Sequence, residues 1–205
     1  MTPRPIFDTE RLRAREMSLL DLDFIADLLA HPEVMRFYPK RYSRDEARGW
    51  IERQLERYAL HGFGLWLIVD RTTEEPVGQV GLLLQQVDGR AEPEIGYLIH
   101  HPYWRRGYAT EAAIATRDHA FFTLDMPRVI SLIRPDNLPS QGVARKVGMR
   151  PAGATQFGGL EHLLYSVARS EISSAPGENG VSSGCPPPSV PTRRHDEGPP
   201  IDAVS

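Results

Sequence analysis

The first part of the chain contains apolar residues with two different periods. In ERLRARE, Leu12 and Ala14 alternate with charged residues, which predicts an edge strand. In the following segment, SLLDLDFIADLLA, apolar residues recur every three or four positions, which predicts an amphipathic helix. The buried face of that helix is expected to consist of Leu22, Ile25, Leu28 and Leu29.

A second helix is predicted to begin at Ser43. This serine and Glu46 have the spacing of a capping box, in which each side chain bonds to the other residue's backbone N–H. The helix is expected to end near His61-Gly62. Its apolar side chains are Trp50, Ile51, Leu55 and Tyr58.

Three strands follow, with sequences LWLIVD, VGQVGLLLQQV and EIGYLIHH. They are separated by short turns at Thr72–Pro76 and Asp88-Gly89. Because connections this short join antiparallel neighbours, the three strands are predicted to form a meander.

The remaining pattern predicts a helix over 107–124, a strand at RVISLIR, a helix over 138–147 and strands over 151–157 and 160–168. The resulting order is β-α-α-β-β-β-α-β-α-β-β. Such an order indicates one mixed α/β domain, which we place at residues 1–170.

Residues 171–205 differ in composition from the rest of the chain. They are rich in Pro, Gly and Ser and contain no aromatic residue. A segment of this kind buries too little apolar surface to offset its conformational entropy, so we predict a disordered tail. The single cysteine, Cys185, lies in this tail, which argues against a disulfide framework or a cysteine metal site.

The 205 residues carry a formal net charge of −3. This balance argues against a general nucleic-acid-binding protein. No apolar run approaches the ~20 residues that span a bilayer, and the N-terminus lacks the apolar core of a signal peptide. We therefore expect a cytoplasmic protein with no nucleic-acid or membrane partner.

The stretch YWRRGYATEA, residues 103–112, carries the clearest chemical signal. Two arginines and Gly107 stand where a helix is predicted to begin. The first N–H groups of a helix lack intrahelical partners, and its dipole makes that end partly positive. Glycine also lets the backbone approach a ligand closely. The stretch therefore predicts an anion site, with phosphate as the expected ligand.

Four segments together resemble the GNAT (GCN5-related) N-acetyltransferases: TERLRAR, EIGYLIHHPYW, WRRGYATEA and NLPSQGVARKVGM. Within that superfamily the chain is most similar to the branch containing ribosomal-protein alanine N-acetyltransferases. The resemblance covers about residues 8–169. It implies a mixed, mainly antiparallel sheet flanked by helices, and acetyl transfer from acetyl-CoA to a primary amine without a metal.

The resemblance also implies which residues bind acetyl-CoA as co-substrate. The loop before the helix would wrap the pyrophosphate, an exposed strand edge would pair with the pantetheine arm, and a later turn would lie near the thioester. In order, these residues are Trp104, Arg105, Arg106, Gly107, Tyr108, Ala109 and Thr110; Tyr97, Leu98 and Ile99; and Asn137 and Ser140.

Several residues are candidates for the general acid and the general base. Many relatives have a tyrosine seven residues after the asparagine, but this chain has Ala144 there, so Ser140, Tyr108 or water would protonate the leaving thiolate. Glu94 is the predicted general base, with Glu92 as an alternative. The adjacent His100 and His101 are further candidates as bases or ligands.

The acceptor is expected to bind at HPEVMRFYPKRYS, where Arg36, Phe37 and Tyr38 are the predicted contacts. Val34 and Phe37 have an alternative role as anchors of this loop to the core. The acceptor is expected to be a protein N-terminus, an amino acid or a small-molecule amine. The protein is expected to be a monomer or a homodimer. Two other hypotheses remain: a catalytically weak acyl-CoA-binding sensor or scaffold, and a nucleotide-binding module.

Overall fold

The computed structural model describes residues 3–173, which form an eight-stranded sheet with the order β1-β2-β3-β4-β5-β6-β8-β7. All neighbouring strands are antiparallel except β5 and β6. The strands are β1 (Pro5–Asp8), β2 (Leu12–Arg15), β3 (Leu65–Asp70), β4 (Pro76–Val87), β5 (Arg90–Ile99), β6 (Arg128–Ile133), β7 (Arg150–Phe157) and β8 (Leu160–Ala168). The helices are α1 (Leu22–Ala30), α2 (Arg44–His61), α3 (Tyr108–Phe122), α4 (Leu138–Lys146) and α5 (Arg169–Ser173).

The sheet has one strand more than the sequence predicts. β1 lies outside β2, so the predicted edge strand at Leu12–Arg15 is in fact flanked on both sides. β1 was missed because its four residues, PIFD, are too few to show an alternating pattern. Its Phe7 packs edge-on against Trp66 at a centroid distance of 5.8 Å.

The two faces of the sheet carry separate apolar cores. α1 and α2 cover one face, and their buried residues include the predicted set of Leu22, Ile25, Leu28 and Leu29. α3 covers the other face through side chains such as Phe121. These helices therefore hold the middle of the sheet rigidly on both sides.

Capping explains where α2 begins and ends. Ser43 and Glu46 form the predicted capping box, and Gly62 ends the helix in a left-handed conformation. Of the apolar side chains of α2, Leu55 is 38% exposed. The neighbouring Gln54 is buried instead, because its side chain accepts a hydrogen bond from the Leu65 N–H and donates one to the Trp50 carbonyl.

The described chain ends in α5, whose Ile172 packs against the core. The described residues thus include 171–173, the first three of the predicted tail. The rest of the predicted tail, including Cys185, lies outside the described residues. Within residues 3–173, no helix is both long and apolar enough to cross a membrane.

Candidate active site

A cavity of about 670 Å³ opens where β5 and β6 separate. β5 pairs with β4 along its length, but within residues 3–173 its register with β6 is limited to Glu94 opposite Ile130. Four segments line the cavity: the loop between α1 and α2, the end of β5, the loop that leads into α3, and α4. Its volume is in the range of small-molecule and cofactor sites.

Most of the predicted site residues line this one cavity. From the predicted cofactor set, the lining includes Tyr97, Leu98, Ile99, Trp104, Arg105, Gly107, Tyr108, Ala109, Thr110, Asn137 and Ser140. The predicted acceptor residues Arg36, Phe37 and Tyr38 line it as well. Glu94 and Arg106 are outside the lining. The fold therefore joins the four predicted segments into one site and leaves the predicted base apart from it.

Several lining residues were not singled out in the sequence. Pro139, Val143 and Lys146 follow one another at intervals of four and three, so they share one face of α4. This periodicity would have identified them once Ser140 was placed at the site. Glu33 and Tyr103 also line the cavity, and they lie in the segments predicted for the acceptor and for the anion, beside the residues predicted individually.

The loop that leads into α3 has the geometry of an anion site. Arg105 and Gly107 have left-handed backbone conformations, with φ of 62° and 84°. Alternating backbone conformations of this kind turn successive N–H groups toward one point. Among the described residues, the N–H groups of Tyr108, Ala109 and Thr110 have no hydrogen-bond partner, as expected for the first turn of a helix.

The end of β5 presents backbone groups to the cavity side. The N–H of His100 donates to the carbonyl of Val77, which makes Leu98 the next residue to bond with β4. In an antiparallel pair, every second residue bonds to the neighbouring strand. Tyr97 and Ile99 alternate with the residues that bond to β4, so their N–H and carbonyl groups point the other way, toward β6. The carbonyl of Ile99 accepts a hydrogen bond from Trp104 Nε1 at 2.6 Å. The N–H groups of Tyr97 and Ile99 thus remain directed into the gap.

Asn137 and Ser140 lie at the first turn of α4. Asn137 is the N-cap, and its Oδ1 accepts a hydrogen bond from the Ser140 N–H at 3.2 Å. The carbonyl of Ser140 accepts a bond from the Tyr97 hydroxyl at 2.8 Å, which ties α4 to β5 across the gap. Among the described residues, the Ser140 hydroxyl and the Asn137 NH₂ group have no partner.

Glu94 does not have the surroundings expected of a general base. It is fully buried and accepts hydrogen bonds from Gln85 Nε2 at 2.8 Å and from the Leu132 N–H at 3.1 Å. Its carboxylate joins β4, β5 and β6 at the point where the sheet begins to separate. Glu92, the alternative base, forms an ion pair with Arg128 at 3.5 Å. The geometry therefore gives both carboxylates structural partners.

Tyr108 was one candidate for the acid, and its hydroxyl is already engaged. It donates to Asp70 Oδ2 at 2.5 Å. That hydrogen bond, with burial as the second cause, raises the pKa of Tyr108 above its usual value. At the position of the tyrosine found in many relatives, Ala144 is fully buried. The hydroxyl of Ser140, unlike that of Tyr108, has no hydrogen-bond partner among the described residues.

The loop between α1 and α2 forms the other wall of the cavity. Arg36 contributes a guanidinium that lies over the Phe37 ring at 4.8 Å and approaches the Glu33 carboxylate at 4.0 Å. Val34 is 4% exposed, so it anchors the loop as the alternative interpretation expected. Phe37 lines the cavity and is partly exposed. This wall therefore combines aromatic surface with charges of both signs.

Three histidines meet beside this wall. The rings of His31 and His101 stack at 5.0 Å, and His31 lies edge-on to His100 at 5.8 Å. His100 Nε2 is 3.2 Å from Asp27 Oδ2. Within the described part of the chain, no group of three or more His, Cys, Asp or Glu side chains is arranged to hold a metal ion.

We expect the protein to lose stability as the pH falls below about 6.5. Burial, the largest cause, lowers the pKa of His100 although Asp27 acts to raise it. The unfolded chain therefore takes up a proton at a higher pH than the folded chain does, and stability present above pH ~6.5 is lost below it. Melting temperatures between pH 7 and pH 5 test this, with His100→Gln expected to show a smaller drop. A variant with the full wild-type drop would contradict the assignment to His100.

The fold and the cavity define an acyltransferase of the GNAT class, with a separated pair of parallel strands and an anion loop at a helix N-terminus. The chain belongs to the GNAT acetyltransferase family, since residues 11–150 match the family model described as an acetyltransferase (GNAT) domain. It is accordingly an N-acetyltransferase. The family resemblance seen in the sequence, and the mixed sheet that it implied, are both confirmed.

Relatives and solved structures agree with this assignment. YkkB of Bacillus subtilis (strain 168) is 34% identical over 142 residues, which cover 69% of this chain and 83% of YkkB. An acetyltransferase from Agrobacterium tumefaciens str. C58 superposes with a TM-score of 0.68 at 28% identity, over 82% of this chain and 95% of that one. RimL, a ribosomal L7/L12 α-N-protein acetyltransferase solved with coenzyme A, shares the fold: TM-score 0.67, 17% identity, 80% and 98% covered.

Proposed function

We propose that this protein transfers the acetyl group of acetyl-CoA to a primary amine by direct attack of the amine on the thioester. One observation carries the proposal. The free N–H groups at the start of α3 and the outward-facing N–H groups of Tyr97 and Ile99 open into the same cavity. Acetyl-CoA needs donors of both kinds. Its phosphates bind free N–H groups at a helix N-terminus, and the amides of its pantetheine arm pair with the N–H groups of a strand edge.

The residues present fit the cofactor along its length. The N–H groups of Tyr108, Ala109 and Thr110 would hold the pyrophosphate, with Arg105 and Lys146 supplying positive charge nearby. The edge of β5 and the NH₂ group of Asn137 would bind the amides of the pantetheine arm. Acetyl-CoA supplies an acetyl group activated as a thioester. The arm would bring that group close to Ser140.

Direct attack needs a neutral amine and a proton for the departing thiolate. The amine nitrogen bonds to the acetyl carbon, the carbon–sulfur bond breaks, and the sulfur takes a proton from the Ser140 hydroxyl, which is replenished from the amine through water. Because Glu94 is enclosed in the sheet, we do not assign it as base. An α-amine, with a pKa of about 8, is far more often neutral at pH 7 than a lysine amine of about 10.4. Holding the reactants together supplies the remaining acceleration.

The acceptor would enter along the loop between α1 and α2. Phe37 and Tyr38 offer aromatic surface to its body, while Glu33 and Arg36 offer charges to an amine and a carboxylate. RimL is named for the α-amine of a ribosomal protein, and a protein N-terminus would carry the amine with the lower pKa. We therefore favour an α-amine acceptor, on a protein, a peptide or an amino acid.

A second function is favoured by Ala144 and Glu94. Ala144 replaces the acid of many relatives and Glu94 is enclosed, which would suit an acyl-CoA-binding sensor or scaffold with little turnover. Such a protein would keep the whole cofactor site but would not need an acceptor site.

Thiol release from acetyl-CoA, measured across a panel of amines, separates the two functions. The panel consists of ribosomal-protein N-terminal peptides, amino acids, polyamines and aminoglycosides. Release with one class above the no-acceptor rate would support transfer and identify the acceptor. Tight acetyl-CoA binding without release in any class would favour the sensor, and absence of binding would contradict both.

A further inference from the structure

The carboxylate of Glu111, in the first turn of α3, joins that turn to the start of β2. It accepts hydrogen bonds from the Thr9 hydroxyl at 2.6 Å, from the Arg11 N–H at 3.0 Å and from Arg11 Nε at 2.7 Å. Arg11 Nη2 also lies 2.5 Å from Glu111 Oε2. One carboxylate thus fixes the Arg11 side chain at two of its nitrogens.

Arg11 in turn holds the anion loop. Its Nη1 donates to the carbonyl of Arg106 at 2.9 Å, and its guanidinium lies 4.9 Å from the Tyr108 ring centre. In a trans peptide the carbonyl and the following N–H point in opposite directions. Because the Arg106 carbonyl is directed at Arg11, the N–H of Gly107 is directed away from it. The orientation of this peptide therefore depends on the Arg11 side chain.

The same contact balances charge at the end of α3. A carboxylate in the first turn is favourable for the helix dipole but would repel a phosphate bound at that end. Pairing with the Arg11 guanidinium offsets the negative charge of Glu111. Partial burial acts to raise the pKa of Glu111, but the hydrogen bonds from Thr9 and Arg11 outweigh it and keep the pKa below its usual value. The Glu111 carboxylate is therefore ionised at neutral pH.

Both side chains lie beside the cavity. Arg11 and Glu111 line an adjoining groove that shares Gly107, Thr110 and Lys146 with the main cavity, whose lining within residues 3–173 includes neither of them. Their contact with the main cavity is therefore made through the residues that the groove shares with it.

We infer that Arg11 and Glu111 are positioning residues for the phosphate site: together they set the Arg106–Gly107 peptide so that its N–H and those that follow face the cofactor. This inference rests on the proposed binding of acetyl-CoA. It requires the guanidinium fork, because one side chain must reach a carboxylate and a backbone carbonyl at once. A lysine at this position keeps the charge but cannot make both contacts in the same geometry.

Arg11→Lys tests the inference, and Arg15→Lys is its matched control. Arg15 also bonds to a carboxylate, that of Asp21 at 2.6 Å, and to a backbone carbonyl, that of Glu16 at 3.0 Å, and it lies outside both groups of lining residues. For each variant we would measure the Kd of coenzyme A by calorimetry, the KM and kcat with acetyl-CoA, and the melting temperature.

We expect Arg11→Lys to raise the Kd of coenzyme A and the KM about tenfold, with kcat within about twofold, because fork geometry is lost while charge is kept. Arg15→Lys should lower the melting temperature about as much as Arg11→Lys does, but leave the Kd of coenzyme A unchanged. Wild-type affinity in Arg11→Lys, or equal loss in the two variants, would overturn the inference while leaving the proposed function intact. If the wild-type protein bound no coenzyme A, the proposed function itself would fail, and the inference with it.

Discussion

Gly107→Val is expected to lower kcat/KM for acetyl-CoA about 100-fold or more, a loss comparable to that on removing one preorganised oxyanion donor. Gly107 has φ of 84° and lies in the cavity lining, immediately before the free N–H groups of α3. A β-branched residue is strained in this conformation, so the loop must turn its N–H groups out of position. Calorimetry with coenzyme A and steady-state kinetics would measure the loss.

The matched control is Gly62→Val. Gly62 has φ of 79°, ends α2, and has no other group within 4 Å of the position of an added Cβ. Both variants carry a backbone penalty of roughly 1–2 kcal/mol, so their melting temperatures should fall together. The Gly107 variant alone should lose the cofactor. Retained affinity for coenzyme A in Gly107→Val would mean that the phosphates bind elsewhere.

Ser140→Ala is expected to lower kcat about 100-fold, the lower end of the range for a general acid, while KM for acetyl-CoA stays within about twofold. The hydroxyl of Ser140 has no partner among the described residues, so its removal costs little stability. Its backbone contacts, to Asn137 and Tyr97, are kept. Kinetics with the best acceptor of the panel and a melting curve check both parts of this prediction.

Ser43→Ala provides the opposite result for comparison. The Ser43 hydroxyl accepts a hydrogen bond from the Glu46 N–H at 3.3 Å and caps α2. Its loss should cost about 1 kcal/mol of stability and leave kcat unchanged. If Ser140→Ala kept the wild-type kcat, the proton would have to come from water, and Ser140 would have no catalytic part.

Much of the fold could be predicted because local signals agree with it. The capping box at Ser43, the short turns of the meander and the period of α1 each depend on neighbouring residues in the sequence. β1 and Gln54 show the limit of such signals. β1 exists through pairing with β2, and the polar Gln54 is buried because it satisfies the backbone of β3. Neither tertiary contact leaves a local pattern.

The candidate site likewise has parts with a local sequence signal and parts without one. The loop before α3 could be predicted because glycine, arginines and a helix start are adjacent in the sequence. The surroundings of Glu94 could not, since they depend on the Leu132 N–H of a strand reached only after α3. The contact of Arg11 with Glu111 spans a hundred positions of sequence separation. Contacts between groups this far apart in the sequence can be identified only from the folded structure.

Calorimetric titration of acetyl-CoA into the wild-type protein, with ATP and coenzyme A as competitors, tests the central claim most directly. The account predicts saturable binding of one acetyl-CoA per chain, displaced by coenzyme A and only weakly by ATP, because ATP lacks the pantetheine arm proposed to contact β5 and α4. ATP binding as tight as that of acetyl-CoA, or no binding of acetyl-CoA, would contradict the assignment of this cavity to the cofactor.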